Sequence, residues 1–590
     1  MGYQRTAKLA WPTGIGLSGY LKASRPGHRA SGLMLLKSVN TFKVSPATQC
    51  LITLLNSIGI VRVSKGDLNM HSLLHAAGYL ISSLLTLIIA NLLSQSLLHK
   101  KSEPPVIFHW LPFIGNAVSY GVNPHRFLAS CREKHGDIFT FILLGRKMTC
   151  YLGLAGNEFI LNGKHSHLNA EEIYSPLTTP VFGSDVVYDC PNAKLIEQKK
   201  FMKFGLTQQA LERHVQLIEQ EVEDYITTTP AFQGSEGTVD ISSALAEITL
   251  FTAGRALQGK EVRQKLRREF AALYHDLDLG FQPINFLLPW APLPHNRRRD
   301  RAHAQMRAIY EGIIQERRQS SSTDDSEHDS KHDFDMIANL MQCSYKDGRA
   351  VPDKEIAHMM ITLLMAGQHS SSSTSAYILL RLASQPDVTE QLYREQMQNL
   401  AGEDDGRLPP LQFCDLDKLP LLQGVVKETL RVHSSITSVM RKVTKPLPIP
   451  GTPYLVTTDK VLMASPIITA MSDEFFKDAE TWNPHRWLSR PGDANDNDDN
   501  DGDNTDIVDY GYGAVSKGTK SPYLPFGAGR HRCIGEKFAY MNLGVIVATL
   551  VRHYKVFTLD GKRHVPETDY TSLFAMPKKP ARIRWERREA

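Results

Sequence analysis

The sequence predicts a mainly α-helical catalytic domain with a minor β region, placed behind an N-terminal transmembrane helix. Segments with the helical spacing of apolar residues make up most of the chain, and short β-like runs such as DIFTFILLG and KMTCYLG lie between them. One charge-free apolar stretch precedes these segments and is long enough to cross a bilayer. Late in the chain, a cysteine follows a glycine-rich turn and precedes another helical pattern. We therefore expect one large helical domain tethered to a membrane.

Composition divides the chain into three parts. Its 590 residues would suit several domains, yet a single large helical enzyme reaches this length once tails and inserts are counted. We predict an N-terminal extension of uncertain status at 1–69, a membrane anchor at 70–103 and one catalytic domain at 104–590. A polar, mostly acidic stretch at 492–506 cannot pack into a core and is predicted to be a solvated loop insert.

The centre of the predicted anchor is the stretch 73–93, which holds no formal charge over about the 20 residues that a bilayer crossing requires. Lys100 and Lys101 follow directly, so the positive-inside rule places the rest of the chain in the cytosol. We expect a single-pass protein of the endoplasmic reticulum membrane. A buried core helix is the alternative interpretation of the same stretch.

Charge and cysteine content argue against two classes of protein. The formal net charge is only +5, and no basic tract with interleaved aromatic residues occurs, so no nucleic-acid partner is expected. The seven cysteines are odd in number and widely spaced, without a CxxC pair. This pattern does not fit a disulfide framework and favours a reducing compartment.

The stretch FGAGRHRCIG at 526–535 has the features that a haem-binding cysteine needs. Gly527 and Gly529 allow a tight turn with positive φ, and Gly535 lets the next segment approach a flat macrocycle. The helical pattern that follows would place Cys533 at a helix N-terminus, where free N–H groups keep a sulfur anionic. A thiolate ligand favours cleavage of dioxygen over its transport. We therefore expect a haem-bearing oxygenase, with a buried structural cysteine as the alternative.

The same stretch resembles the haem-binding signature F-x-x-G-x-[RH]-x-C-x-G of the cytochrome P-450 superfamily. It matches at Phe526, Gly529, His531, Cys533 and Gly535. The resemblance implies the cytochrome P-450 fold, a haem b cofactor and Cys533 as the axial ligand of its iron. It also implies that Phe526, Gly529 and His531 belong to the cofactor site.

Two further motifs are similar to elements of this superfamily. In KETLRVH, Glu428 and Arg431 lie three residues apart on one face of a predicted helix, and WNPHRW supplies Arg486. Such a pair alone is commonly a surface ion pair. The resemblance to the E-x-x-R and P-E-R-F elements implies a buried structural network of the three residues under the haem.

The segment AGQHS at 366–370 resembles the superfamily's oxygen-binding motif [AG]-G-x-[DE]-T. It breaks a long apolar helical pattern at 358–380 with a polar patch, where hydroxyl groups could open the helix. His369 replaces the usual acid, and Ser370 replaces the usual threonine. Histidine titrates near neutral pH, so we expect His369 and Ser370 to deliver protons in catalysis. A core histidine in a serine-rich helix is the alternative.

The stretch at 171–207 resembles the signature of one family within the superfamily, the sterol 14α-demethylases in their fungal form. TTPVFG, VVYDCPN and EQKKF carry the likeness, and histidine at the acid position of the oxygen-binding motif also points to this family. The pattern predicts a lid over an apolar pocket and a lysine pair that opens a helix. By resemblance, the following residues contact the haem edge or its propionates: Tyr174, Tyr188, Lys199, Arg441 and His531.

Other segments resemble the family's substrate channel. DLDLGFQPINF is similar to the segment over the entrance, and DYTSLFAMP is similar to a hairpin that closes the pocket. A mostly apolar wall suits a rigid sterol, because each buried apolar Å² contributes roughly 25 cal/mol. The resemblance implies substrate contacts for Thr178, Phe182, Val187, Phe281, Phe286, Ser438, Leu573 and Phe574.

The likeness implies removal of the 14α-methyl group of lanosterol or eburicol in ergosterol synthesis, through three successive oxidations that release formate. Dioxygen is the oxidant. Because no flavin or nicotinamide fold is visible, electrons from NADPH must come through a separate reductase. Azole inhibitors are expected to bind. Two alternatives stay open: a duplicated paralogue in specialised metabolism or azole resistance, and a low-turnover haem-bearing sterol-binding protein.

Overall fold

A computed structural model describes the following parts of the chain: 70–97, 100–265, 268–320, 336–402, 406–488, 507–509, 514–516 and 518–589. Contacts group the chain into two compact units, Met1–Ser83 and Leu84–Ala590. The described part of the first unit is the beginning of one long helix. The predicted N-terminal extension at 1–69 and the predicted acidic insert at 492–506 lie outside the described residues.

Helices dominate the described chain, as the sequence predicts. They are α1 Met70–Leu97, α2 Ala117–Val122, α3 Pro124–His135, α4 Gly153–Leu161, α5 Glu171–Phe182, α6 Asn192–Met202, α7 Gln208–Thr228, α8 Ile241–Ala253, α9 Lys260–Lys265, α10 Arg268–Asp278, α11 Pro294–Ser320, α12 Met336–Gln342, α13 Asp353–Ser384, α14 Pro386–Leu400, α15 Pro420–Val432, α16 Pro466–Ala470 and α17 Glu536–His553.

The strands form small sheets, which fits the predicted minor β region. They are β1 Ile138–Leu143, β2 Arg146–Tyr151, β3 Leu168–Asn169, β4 Glu236–Asp240, β5 Val439–Val443, β6 Leu447–Pro448, β7 Leu455–Val456, β8 Lys460–Ala464, β9 Ile507–Asp509, β10 Ala514–Ser516, β11 Tyr554–Phe557, β12 Thr568–Asp569, β13 Met576–Pro577 and β14 Arg582–Arg587. The largest sheet has the order β1-β2-β8-β5-β3, and a second has the order β11-β14-β4. The remaining strands form the pairs β6-β7, β9-β10 and β12-β13.

The two β-like runs noted in the sequence are the first hairpin. β1 and β2 pair antiparallel, with Ile138 opposite Tyr151 and Leu143 opposite Arg146. The two-residue turn between them is Leu144-Gly145, with φ of 49° and 78°. Positive φ at both positions is the type I′ geometry, which matches the right-handed twist of a hairpin.

Helix α13 lies at the centre of the catalytic unit and packs against α8, α11, α15 and α17. Most of its residues are buried, because its own apolar and small side chains occupy all of its faces. It contains the predicted helical stretch 358–380. The expected opening at the polar patch is wrong: the helix continues without interruption, since the serine and threonine hydroxyls bond to carbonyls of the preceding turn and leave the ladder intact.

Helix α1 contains an apolar span, Gly78–Gln95, that is long enough to cross a membrane. Its large apolar side chains are exposed, including Leu84, Leu87, Ile89 and Leu93. A core helix would bury such residues, so the structure disfavours the alternative of a buried helix. The helix is compatible with a membrane anchor.

Candidate functional site

The cysteine loop at 526–535 leads directly into α17. The Cys533 N–H donates to the Phe526 carbonyl at 3.0 Å and closes the loop on itself. Gly527 and Gly529 have φ of 66° and 64°, which residues with a Cβ rarely adopt. A Cβ at Gly529 would also lie 2.4 Å from the carbonyl oxygen of Leu161, at the end of α4. The loop therefore requires glycine at position 529 for both conformation and space.

The environment of the Cys533 thiol differs from the prediction. The side chain has accessible surface, yet it lies deep among protein atoms, as a group that faces an internal space does. This burial raises the pKa of the thiol, and the Gly535 N–H and the charges of Lys199 and Arg532 offset only part of the rise. Burial thus opposes the anionic sulfur that the sequence predicts, while the helix N-terminus and the nearby cations favour it. A metal ion deprotonates a coordinating thiol outright, so the thiolate belongs to the metal-bound state.

Four basic side chains gather at the cysteine loop. Arg530 and His531 belong to the loop itself, and Lys199 and Arg441 reach it from other elements. Burial, together with the charges of Arg441, Lys199 and Arg530, lowers the pKa of His531 to about 3. Within the described chain, Lys199, Arg441 and Arg530 donate to backbone carbonyls at 3.1, 2.8 and 2.5 Å and form no ion pair with a carboxylate. Cations that repel one another in this way favour an anionic partner. The cluster fits the two propionates of a haem.

Lys199 reaches this cluster from the last turn of α6, and Lys200 lies beside it. The prediction that this lysine pair opens a helix is therefore wrong. The helix begins earlier, directly after Pro191, whose fixed φ of −55° suits the residue before a helix. Basic side chains in a last turn instead interact favourably with the negative end of the helix dipole.

Three aromatic rings form a row beside the same cluster. The rings of Tyr174 and Tyr188 lie 5.1 Å apart, and those of Tyr188 and His531 lie 5.8 Å apart. The Tyr174 hydroxyl accepts a hydrogen bond from the Met440 N–H at 3.0 Å, which ties α5 to β5. Val187, directly before Tyr188, has φ of 53°, a strained value for a β-branched residue. The strained backbone at Val187 thus leads directly into Tyr188, whose ring meets His531 of the basic cluster.

The middle of α13 borders open space. Ala366 is exposed and Gly367 and Ser370 are half-buried, although most of this helix is buried. A Cβ built at Gly367 meets no atom within 4 Å. The Ser370 hydroxyl donates to the Ala366 carbonyl at 3.2 Å. Room beside a helix, a thiol that faces an internal space and an unneutralised basic cluster together fit a flat, dianionic haem.

His369, the next residue along α13, is buried in a ring of aromatic side chains. Its ring stacks on that of Phe574 at 4.8 Å and meets the edge of Phe281 at 6.1 Å. Its Nε2 lies 3.1 Å from Asp278 Oδ1, as an ion pair whose angles fall short of a hydrogen bond. Burial acts to raise the pKa of Asp278, but the charge of His369 outweighs it and holds that pKa below its usual value.

Sequence analysis missed Asp278 and its neighbour on α10, Tyr274, whose ring lies 5.3 Å from that of His369. Both residues occur in or just before a segment that carries the family likeness, but neither residue type indicates a contact with α13. The signal that could have found them is their spacing of four residues, which places two polar side chains on one face of a helix.

Six of the eight predicted substrate residues belong to one apolar cluster beneath α13, named here the α13 cluster. Its buried members include Phe182 and Phe281, whose rings are 5.9 Å apart. The partly buried Val187, Phe286, Leu573 and Phe574 pack against it, as does Ile534 of the cysteine loop.

The other two predicted substrate residues differ in their surroundings. Thr178 is buried on α5 and donates to the Tyr174 carbonyl at 2.9 Å. Ser438 lies outside the α13 cluster, next to β5, with its hydroxyl beside that of Tyr120. The structure therefore brings the aromatic and aliphatic residues together and leaves Ser438 apart from them.

Glu428 is the centre of a buried hydrogen-bond network. Its carboxylate accepts from Arg431 at 2.9 and 2.7 Å and from Arg486 at 2.9 Å. The indole N–H of Trp487 and the backbone N–H of Asn483 also donate to it, each at 2.9 Å. The network joins α15 to the segment 483–487, so its geometry fits a structural rather than a reacting group.

Comparison with known proteins agrees with this geometry. Residues 104–585 match the family Cytochrome P450. The chain is 65% identical over 512 residues to Sterol 14-alpha demethylase CYP51A of Gibberella zeae, covering 87% of this chain and 98% of that protein. It is 64% identical over 523 residues to Sterol 14-alpha demethylase cyp51A of Aspergillus fumigatus, covering 88% and 99%.

A third relative is the Eburicol 14-alpha-demethylase of Penicillium italicum, at 57% identity over 514 residues, covering 87% of this chain and 98% of that protein. Among solved structures, a cyanobacterial CYP120A1 with bound retinoic acid has a TM-score of 0.65 at 19% identity, covering 83% of this chain and all of that one, which shows a shared fold. The chain belongs to the cytochrome P450 family, and within that family to the fungal sterol 14α-demethylases.

Proposed function

We propose that this protein is a sterol 14α-demethylase, a haem-thiolate monooxygenase that removes the 14α-methyl group of lanosterol or eburicol by three successive oxidations with release of formate. The observation that carries the proposal is near full-length similarity to relatives named sterol or eburicol 14-alpha demethylase. The geometry supports it, because the cysteine loop carries part of the basic cluster and its Ile534 packs against the apolar cluster that includes residues of α13.

Each group of residues has its part in this reaction. Cys533 would hold the iron of a haem, while Lys199, Arg441 and His531 would bind its propionates beside the rings of Tyr174 and Tyr188. A thiolate-bound haem supplies cleavage of dioxygen, with electrons from NADPH through a separate reductase. The six predicted substrate residues of the α13 cluster would orient the rigid sterol and exclude water.

His369 and Ser370 would serve proton delivery. His369 Nε2 lies 3.1 Å from Asp278 Oδ1, so a carboxylate faces the nitrogen that would carry the proton. Ser370 supplies a hydroxyl one residue further along the helix, on its accessible side. Because Ser370 follows the buried His369 directly and borders the open space, a proton would pass from the histidine by way of the hydroxyl toward the reacting oxygen.

Membrane association is part of the proposal, with the endoplasmic reticulum as the site, a single crossing and the catalytic unit in the cytosol. Besides α1, the catalytic unit exposes large apolar side chains in two stretches, 106–122 and 284–290, with Trp110 and Trp290 at 64% and 67% exposure. Arg146 joins the stretches, since it donates to the Phe286 carbonyl at 2.9 Å while its neighbour Gly145 bonds to Phe113. A continuous apolar face of this kind suits contact with lipid.

Cell fractionation tests this location. The protein should follow an endoplasmic reticulum marker and stay with the membrane after extraction with alkaline carbonate, as an inserted helix does. Release by carbonate, or accumulation with another organelle, would contradict the proposal.

Azole inhibitors are expected to bind beside Ala366 and Gly367, where the space along α13 admits a heterocyclic nitrogen. The measurement is the optical difference spectrum of the haem-loaded protein, which should show the shift of nitrogen ligation on titration with an azole. An unchanged spectrum at saturating azole would remove this part of the proposal.

Product analysis tests the function itself. Purified protein, NADPH and a cytochrome reductase should release one formate for each sterol converted, and competition between lanosterol and eburicol identifies the preferred substrate. Sterol binding without formate would indicate a low-turnover sterol-binding protein. Formate release in vitro without rescue of a demethylase-deficient fungus would favour a duplicated paralogue. Ser370 is the reason to test this alternative, because it replaces the usual threonine.

A further inference from the structure

Three side-chain contacts join α10 to the middle of α13. The Tyr274 hydroxyl donates to Gln368 Oε1 at 2.5 Å, and the Tyr274 ring lies 5.3 Å from the His369 ring at an interplanar angle of 35°. Asp278 supplies the third contact, to His369 Nε2. Tyr274 and Asp278 are four residues apart, so they lie on one face of α10 and meet two consecutive residues of α13.

The Tyr274 hydroxyl is the first link of a relay that reaches a third helix. Gln368, which accepts from it, donates its amide N–H to the Ala246 carbonyl of α8 at 3.1 Å. Tyr274 and Gln368 are both buried, and burial raises the pKa of Tyr274 well above its usual value. Burial therefore favours the protonated hydroxyl, which is the form that donates to Gln368.

Removal of this hydroxyl has a local consequence that the geometry defines. Gln368 Oε1 would be left buried without a donor, and a buried acceptor in that state is costly enough to make the side chain move. Gln368 precedes His369 directly, and the Tyr274 ring that packs on His369 would lose the hydrogen bond that holds its hydroxyl. Both neighbours of His369 would loosen together.

We infer that Tyr274 is a positioning residue for the reaction: through its hydrogen bond to Gln368 and its ring contact, it holds the His369 imidazole with Nε2 toward Asp278. The inference rests on the proposed function, because it assigns a task to the proton-delivering histidine. It adds a residue of α10 whose effect is on the orientation of His369 and not on sterol binding.

The test compares Tyr274→Phe with a matched control, Tyr310→Phe, in the haem-loaded full chain. Tyr310 is also completely buried, donates to Gln258, and Gln258 donates to the Met360 carbonyl at 3.0 Å. The control therefore loses the same hydroxyl and strands the same kind of glutamine oxygen, at a place that does not contact His369. Both variants keep the ring, so neither creates a large cavity.

Two measurements are made on each variant. The first is hydrogen–deuterium exchange at the imidazole carbon of His369, followed by mass spectrometry, which needs no turnover. The second is kcat and KM for formate release. Loss of one hydrogen bond should speed His369 exchange and lower kcat by about fivefold in Tyr274→Phe, with KM within about twofold of wild type. Tyr310→Phe should match wild type in both.

Wild-type exchange and kcat in Tyr274→Phe would overturn the inference, as would faster exchange with unchanged kcat. Equal changes in both variants would also overturn it, because they would show a general loss of packing. Should the wild-type protein release no formate, the proposed function fails, while the exchange comparison still shows whether Tyr274 orients His369.

Discussion

Replacement of Glu428 by glutamine is expected to destabilise the region around the cysteine loop. The Glu428 carboxylate is completely buried and accepts five hydrogen bonds, from Arg431, Arg486, Trp487 and Asn483. Glutamine keeps the size of the side chain but offers one acceptor oxygen and turns an NH₂ group toward these donors. The guanidinium of Arg431, with 0% of its side chain exposed, would keep its charge without a counterion.

The structure sets the size of the effect. Removing one partner of a buried ion pair lowers the free energy of unfolding by about 3–5 kcal/mol. Arg431 keeps the carbonyls of Ala470 and Ala479 as acceptors, each at 2.7 Å, so we expect the lower end of that range, about 3 kcal/mol. The loss should reach the haem site, because the Tyr523 hydroxyl donates to the Lys427 carbonyl of α15 at 3.2 Å just before the cysteine loop. Haem content should therefore fall as well.

Urea unfolding followed by circular dichroism measures the free energy of unfolding, and absorbance of the extracted haem measures its content. The matched control is Glu567→Gln, because Glu567 forms a surface ion pair with Lys578 at 2.6 Å with side chains 82% and 54% exposed. That control should not differ from wild type. A loss below about 1 kcal/mol in Glu428→Gln with wild-type haem content would refute the reasoning.

Two other predictions test the site. Asp278→Asn removes the carboxylate that faces His369. Because the pKa of Asp278 lies below its usual value, the carboxylate stabilises the fold above about pH 4 and loses this contribution in stronger acid. Thermal midpoints of variant and wild type should differ at about pH 7 and converge in acid, and a constant difference would contradict this. Gly529→Ala should lose more haem than Gly527→Ala. Each alanine adds about 1–2 kcal/mol of strain at positive φ, but only the alanine at position 529 would also clash with Leu161. Equal haem content in the two variants would contradict this prediction.

Much of the fold could be predicted from the sequence where local patterns determine it. The β-like run DIFTFILLG contains β1, and the apolar stretch 358–380 is part of α13. The prediction failed at Lys199, because the pattern in EQKKF shows a helix but not where it begins. The start depends on Pro191, which directly precedes the helix and lies well upstream of Lys199.

The pairings in the site could not be predicted, because they depend on which elements fold together. Tyr274 and Gln368 are 94 residues apart, and nothing in either segment indicates the other. The pKa of the Cys533 thiol depends on depth of burial, which the glycine-rich pattern around it does not report. Arg530 joins the basic cluster from the same loop as His531 and could have been found there, since it is a second basic residue beside the predicted propionate contact.

The central claim is that Cys533 is the thiolate ligand of a haem iron. The most direct test is the absorbance spectrum of the reduced, carbon monoxide-treated protein, with Cys533→His as the comparison. Our account predicts the red-shifted Soret band of sulfur ligation in the wild-type protein and its loss in the variant, with haem still bound. A correctly folded, haem-loaded wild-type protein without that band would contradict the account.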